Sequence, residues 1–130
     1  MDTQFDSAKL DALVNNAGIG INQSFETTTE ETLDTMTNIH FKGPYFLTQK
    51  LLTLLNDGSS IVNTSSGLAR FSFAGYSAYG AMKAAIDSLS RYQALELGSR
   101  KIRVNSIAPG AIETDFGGGV VRDISDLNQH

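Results

Sequence analysis

Hydrophobic and polar positions change period several times along the chain, and those changes delimit its elements. Leu10-Asp11-Ala12-Leu13-Val14 is a short apolar run that stops at Asn15-Asn16-Ala17-Gly18. This is the pattern of a mostly buried strand delivering two amides and a glycine to its carboxyl end. The period then lengthens: Leu33, Met36, Ile39, Phe41, Phe46, Leu47, Leu51 and Leu55 predict one long helix. Thr28 and Glu31 have the spacing of a capping box at its start, and it should end near Asn56-Asp57-Gly58. Pro44 falls inside it, removes an internal hydrogen bond and frees the carbonyl about one turn earlier, near His40. Asn38 therefore lies just ahead of a predicted kink.

Ser60-Ile61-Val62-Asn63-Thr64 is a second strand, β-branched and short, that runs straight into Ser65-Ser66-Gly67. The segment after it, with Phe71, Phe73, Gly75 and Tyr76, is a loop that either closes over something apolar or packs its own aromatics inward. Ser77 stands where a cap belongs for a second helix running through Ala84, Ala85, Leu89 and Leu95 to Gly98. Its small residues at 80, 81, 84 and 85 leave room for close packing. Ile102 to Ala108 forms a third strand, broken by Pro109-Gly110. Beyond it Gly117-Gly118-Gly119 reads as either a lid hinge or a plain flexible loop, the latter slightly favoured, and the polar tail from Asp123 to His130 shows no strand pattern.

Strands alternating with helices imply an α/β fold with a parallel sheet, and each strand ends in polar or glycine-rich chemistry on one edge of that sheet. Ligands of open parallel sheets collect there. Gly18-Ile19-Gly20 does not make a dinucleotide fingerprint, because the third glycine would fall at Gln23 and no helix pattern follows at once.

Composition narrows the classes. A chain of 130 residues with 41% hydrophobic content supports one domain with a core, here residues 1–130. The net charge of −4 without a basic run argues against nucleic acid and anionic membranes. No apolar run approaches the roughly 20 residues of a membrane span, and the first six residues have no signal-peptide pattern, so a cytoplasmic protein is expected. Without cysteine there is no thiolate chemistry, and His40 and His130 are too few and too far apart to suggest a metal site.

The chemistry concentrates between Ser66 and Lys83. Tyr79 and Lys83, four apart, share a helix face, and an ammonium beside a phenol favours the phenolate. That arrangement would let Tyr79 exchange protons near neutral pH. Ser66 sits in no Gly-x-Ser-x-Gly elbow, which argues against a serine hydrolase.

Asn15-Asn16-Ala17-Gly18, Asn38, Ser66, Tyr79-x-x-x-Lys83 and Pro109-Gly110, in this order and spacing, resemble the short-chain dehydrogenase/reductase family. The resemblance covers Leu10 to Asp115. It implies a partial Rossmann-like, doubly wound parallel sheet of about three strands and two long helices, the central-to-C-terminal part of the family fold. It implies Tyr79 as general acid/base, Lys83 as the group that lowers its pKa and holds ribose hydroxyls, Ser66 as the hydrogen-bond partner of the substrate oxygen, and Asn38 as the holder of a relay water. Asn15, Ala17 and Gly18 would line the adenosine side of NAD or NADP. Ile112 and Thr114 would meet its carboxamide after Pro109-Gly110. The substrate would be a secondary alcohol or ketone.

The family's opening strand and its Thr-Gly-x-x-x-Gly-x-Gly turn have no counterpart in these residues, nor do its last strand and helix, so a truncated member is expected. Such a chain would bind cofactor and turn over only with the missing part supplied. The alternative is a catalytically silent domain that serves as an oligomerisation module, since family members form subunit contacts through the two long helices, here about Thr29 to Asn56 and Ser77 to Leu97. Either way a homo-oligomer is expected, helped by the bare edge of the first strand.

Overall fold

The structure, a computed structural model, describes residues 9–16, 18 and 20–109. Three strands, β1 (Leu10–Asn15), β2 (Leu55–Thr64) and β3 (Arg103–Ile107), form one parallel sheet in the order β1-β2-β3. Helices α1 (Glu30–Thr37) and α2 (Gly43–Leu51) lie between the first two strands, and α3 (Ser77–Leu97) lies between the last two. This is the α/β alternation that the hydrophobic pattern predicts.

The long first helix is one path with a defect in the middle. Residues Asn38–Lys42 form a π-helical turn joining α1 to α2, and the Gly43 N–H donates to the Asn38 carbonyl, five residues back. Proline has no N–H to offer, so a wider turn just before Pro44 absorbs the break. Three details depart from expectation. The cap of α1 is Thr29, whose hydroxyl accepts from the Thr32 N–H at 3.0 Å; the Thr28 hydroxyl instead donates to the Ser24 carbonyl at 2.7 Å, so no box forms with Glu31. Ser77 is the first residue of α3 rather than its cap, and Tyr76 before it makes no side-chain capping bond. The helix also stops early, passing through a 3-10 turn at Leu52–Leu54 into β2. Arg100 holds that exit: its guanidinium donates to the carbonyls of Leu52 and Leu55 and pairs with Asp57 at 2.8 Å.

Register fixes what the sheet presents. Leu10 lies opposite Leu55, but Ala12 lies opposite Ser60, so residues 56–59 bulge out of β2. From there the ladder is regular, with Asn15 opposite Asn63 and Thr64 opposite Ile107. One core cluster, Leu55, Ile61 and Ile102, packs where the sheet meets the end of α3, with Leu13, Leu97 and Val104 around it. The other, Met36, Leu68, Tyr76 and Tyr79, with Ile21, Phe73 and Met82, sits where the loop after β2 meets α1 and α3. Of the two readings of that loop, Phe73 and Tyr76 fit the inward one, while Phe71 is exposed. At Gly80 the helix comes so close to this loop that a Cβ would lie 2.8 Å from the Leu68 carbonyl oxygen. No helix of the described residues is long and apolar enough to cross a membrane.

Candidate active site

The site forms at the carboxyl end of β2, where the strand releases Ser65 and Ser66. The Ser65 N–H donates to the Ile107 carbonyl at 2.8 Å, which extends the ladder one residue and sets the direction in which Ser66 leaves the strand. Ser66 caps the short turn Gly67–Ala69, its hydroxyl accepting from the Leu68 N–H at 3.1 Å. A side-chain hydrogen bond joins the same hydroxyl to Tyr79. Ser66 is thus held from one side by backbone and faces Tyr79 on the other.

Tyr79 and Lys83 are both buried on α3, with Ile86 and Ser90 continuing the same stripe. Lys83 Nζ donates to the Thr64 carbonyl at 2.9 Å and stands 5.7 Å from the centroid of the Tyr79 ring. The lysine therefore links helix to strand end while lying under the phenol. Burial pushes the Tyr79 phenol above its ordinary value, and the Ser66 hydrogen bond pulls it the other way. Burial lowers the Lys83 ammonium, and Asp87 one turn on opposes that. The direction is opposite to the depression expected from the lysine, because desolvation of the phenolate dominates.

Asn38 opens the π turn with its side chain exposed, and its carbonyl already accepts the Gly43 N–H. Asn15 is buried, its amide donating to Thr48 Oγ1 at 3.1 Å and Asn63 Oδ1 at 2.8 Å. Its side chain therefore faces the core, whereas Asn16 and Gly18 are exposed. Asn63 extends the network, donating to Ser90 Oγ and to Gln93 Oε1, both at 2.9 Å. Pro109 is exposed at the end of the described chain; Ala17, Gly110, Ile112 and Thr114 lie outside the described residues. No group of three or more His, Cys, Asp or Glu able to hold a metal occurs among the described residues.

Two buried residues packed against or bonded to these candidates are not singled out by the sequence reading. His40 is 1% exposed and packs perpendicular to the Tyr79 ring, centroids 5.0 Å apart and planes at 88°. Its signal was an ionisable side chain inside a proline-kinked turn. Asn63 is the other, and its signal was a polar residue in the middle of a β-branched strand.

The family model described as enoyl-(acyl carrier protein) reductase matches residues 2–129. The chain belongs to the short-chain dehydrogenase/reductase family. It is 36% identical over 117 residues to carbonyl reductase [NADPH] 2 of Sus scrofa, covering 88% of this chain and 48% of that one. It is 38% identical over 108 residues to the 3-oxoacyl-[acyl-carrier-protein] reductase FabG of Thermotoga maritima, covering 82% and 44%. Among solved structures, landomycin C-6 ketoreductase LanV with bound NADP and rabelomycin superimposes with a TM-score of 0.79 at 36% identity, over 93% of this chain and 53% of that one. This short-chain dehydrogenase/reductase chain spans less than half the length of both curated relatives.

Proposed function

We propose that this chain carries the proton-transfer side of an NAD(P)-dependent oxidoreductase that interconverts a secondary alcohol and a ketone. The observation that carries the reading is the Ser66–Tyr79 hydrogen bond above Lys83. The two hydroxyls stand together at a strand end, so a substrate oxygen placed between them would accept from both. With its phenol raised, Tyr79 is protonated at neutral pH, the state in which it donates to the oxygen of a ketone being reduced. Ser66 stabilises the charge that builds on that oxygen. A nicotinamide cofactor, when bound, supplies the hydride.

The described residues fit the ribose end of such a cofactor. One of the three N–H groups of Lys83 is taken by the Thr64 carbonyl, and the other two suit ribose hydroxyls. A cation brought nearer to the phenol oxygen in that arrangement would offset the desolvation of the phenolate. Backbone N–H groups for the pyrophosphate belong to a glycine-rich turn that these 130 residues do not include. Cofactor affinity and turnover are therefore expected only with a strand–turn–helix unit of that kind alongside. The test is to titrate the chain with NADPH and NADH, alone and with such a unit supplied, monitoring tyrosine fluorescence, thermal shift and ketone reduction. Reduction that appears only in the combined sample supports the reading; its absence there defeats it.

A second reading is an association module, and a specific surface favours it. Tyr45, Phe46, Leu47, Tyr92 and Leu95 are exposed on α2 and α3, and Tyr45, Leu52, Leu89, Tyr92 and Leu97 line a groove between these helices. A second copy of the chain is the proposed occupant, in line with the oligomer expected of the family. Sedimentation as a monodisperse monomer defeats it.

A further inference from the structure

His40 touches the tyrosine that the proposed reaction turns on, and nothing in that proposal uses it. It lies at the centre of the π turn, where the widened backbone directs residue 40 into the core. Its ring stands against that of Tyr79, centroids 5.0 Å apart and planes nearly perpendicular. Another side is closed by backbone: a Cβ at Gly18 would stand 2.5 Å from His40 Cε1 and 3.0 Å from Nδ1. Asn15, Pro44, Asn63, Thr64, Lys83 and Ile86 complete the crevice around it, which has no room for a water molecule. The imidazole is therefore clamped between Gly18 and the tyrosine ring, and it shares a wall with Lys83.

We propose that His40 is a positioning residue, whose ring, perpendicular to the Tyr79 phenol, sets the plane of that phenol and ties it to Gly18. An edge-to-face contact defines the orientation of the facing ring, which an aliphatic side chain of similar bulk does not. A phenol turned out of plane carries its hydroxyl away from Ser66, and small misplacements of a proton donor cost turnover heavily. The same contact accounts for the glycine at 18, since any side chain there would push the imidazole into Tyr79. For its effect on turnover the inference rests on the acid/base reading of Tyr79; the contact itself does not.

The test uses the 130-residue chain with isotope-labelled tyrosine, the Tyr79 ring resonances being assigned by their loss in Tyr79→Phe. In His40→Leu the Tyr79 ring should flip roughly tenfold faster, and in His40→Phe, which keeps an aromatic ring, within about twofold of the parent rate. If His40→Leu does not fold, Gly18→Ala reads the contact from the other side, and it should shift the same Tyr79 resonances. Unchanged Tyr79 signals in whichever of His40→Leu and Gly18→Ala folds overturn the inference. In the combined sample that reduces ketone, His40→Leu should lower kcat with KM for the ketone unchanged, and His40→Phe should restore it. Altered ring motion with the parent kcat in His40→Leu overturns the inference alone, whereas turnover surviving in Tyr79→Phe overturns the acid/base reading.

Discussion

Lys83 Nζ donates to the Thr64 carbonyl at 2.9 Å, so the cation expected to serve the Tyr79 phenol is also the tie between α3 and the end of β2. Because burial lowers its pKa from the ordinary 10.5, the folded chain sheds this proton more easily than the unfolded chain does. Between the lowered folded value and 10.5 the unfolded state binds more protons, so stability rises with pH across that window. Thermal melts over the alkaline range should show the parent gaining on Lys83→Met as the pH climbs towards 10.5. Parallel curves would remove the buried ammonium from the account.

Tyr79→Phe deletes only the hydroxyl. In any sample that turns over, it should lose about a hundredfold or more of kcat, the lower end of what a positioned acid/base contributes, while cofactor affinity stays. Steady-state kinetics beside a direct NADPH titration checks both halves.

Ser66→Ala removes two bonds at once, the one to the Leu68 N–H and the one to Tyr79. Stability should fall by about 1–2 kcal/mol, the sum of a lost cap and a lost neutral hydrogen bond. The Tyr79 phenol should rise further, since the bond to Ser66 holds it down. Chemical denaturation and a tyrosine titration measure the two effects.

Asn63→Ala takes one hydrogen bond each from the Asn15 amide, Ser90 and Gln93, while Asn15 keeps its bond to Thr48 and Ser90 its bond to the Ile86 carbonyl. Each net hydrogen bond lost costs about 0.5–1.5 kcal/mol, so the three together should lower stability by about 1.5–4 kcal/mol. The urea midpoint reports it, and a fall of under about 0.5 kcal/mol would mean that the network contributes little.

Gly80→Ala places a methyl group 2.8 Å from the Leu68 carbonyl oxygen. Although alanine is the better helix former by roughly 1 kcal/mol, the clash should win, with a net loss of about 1–2 kcal/mol read by thermal melting. A rise in stability would show that the loop gives way freely.

The pattern of apolar positions determined the strands and helices because burial of a continuous face is a local property of spacing. Leu10 to Val14, Ser60 to Thr64 and Ile102 to Ala108 could be read as parallel strands, and the tyrosine and lysine four apart on a helix needed no structure to be seen together. The proline at 44 also forecast the break near Asn38, since a missing N–H is a covalent fact. Caps were less legible. Thr28 and Thr29 differ only in what their hydroxyls find, and the Ser24 carbonyl claimed the first.

Tertiary structure alone decided the rest. It put His40 against Tyr79, a contact between residues 39 positions apart that no helical period encodes. It turned the amide of Asn15 into the core, because its register partner on β2 is another asparagine. And it reversed the expected direction of the Tyr79 pKa. A sequence shows that a cation is four residues away, but the cost of removing a phenolate from water depends on everything that closes over it.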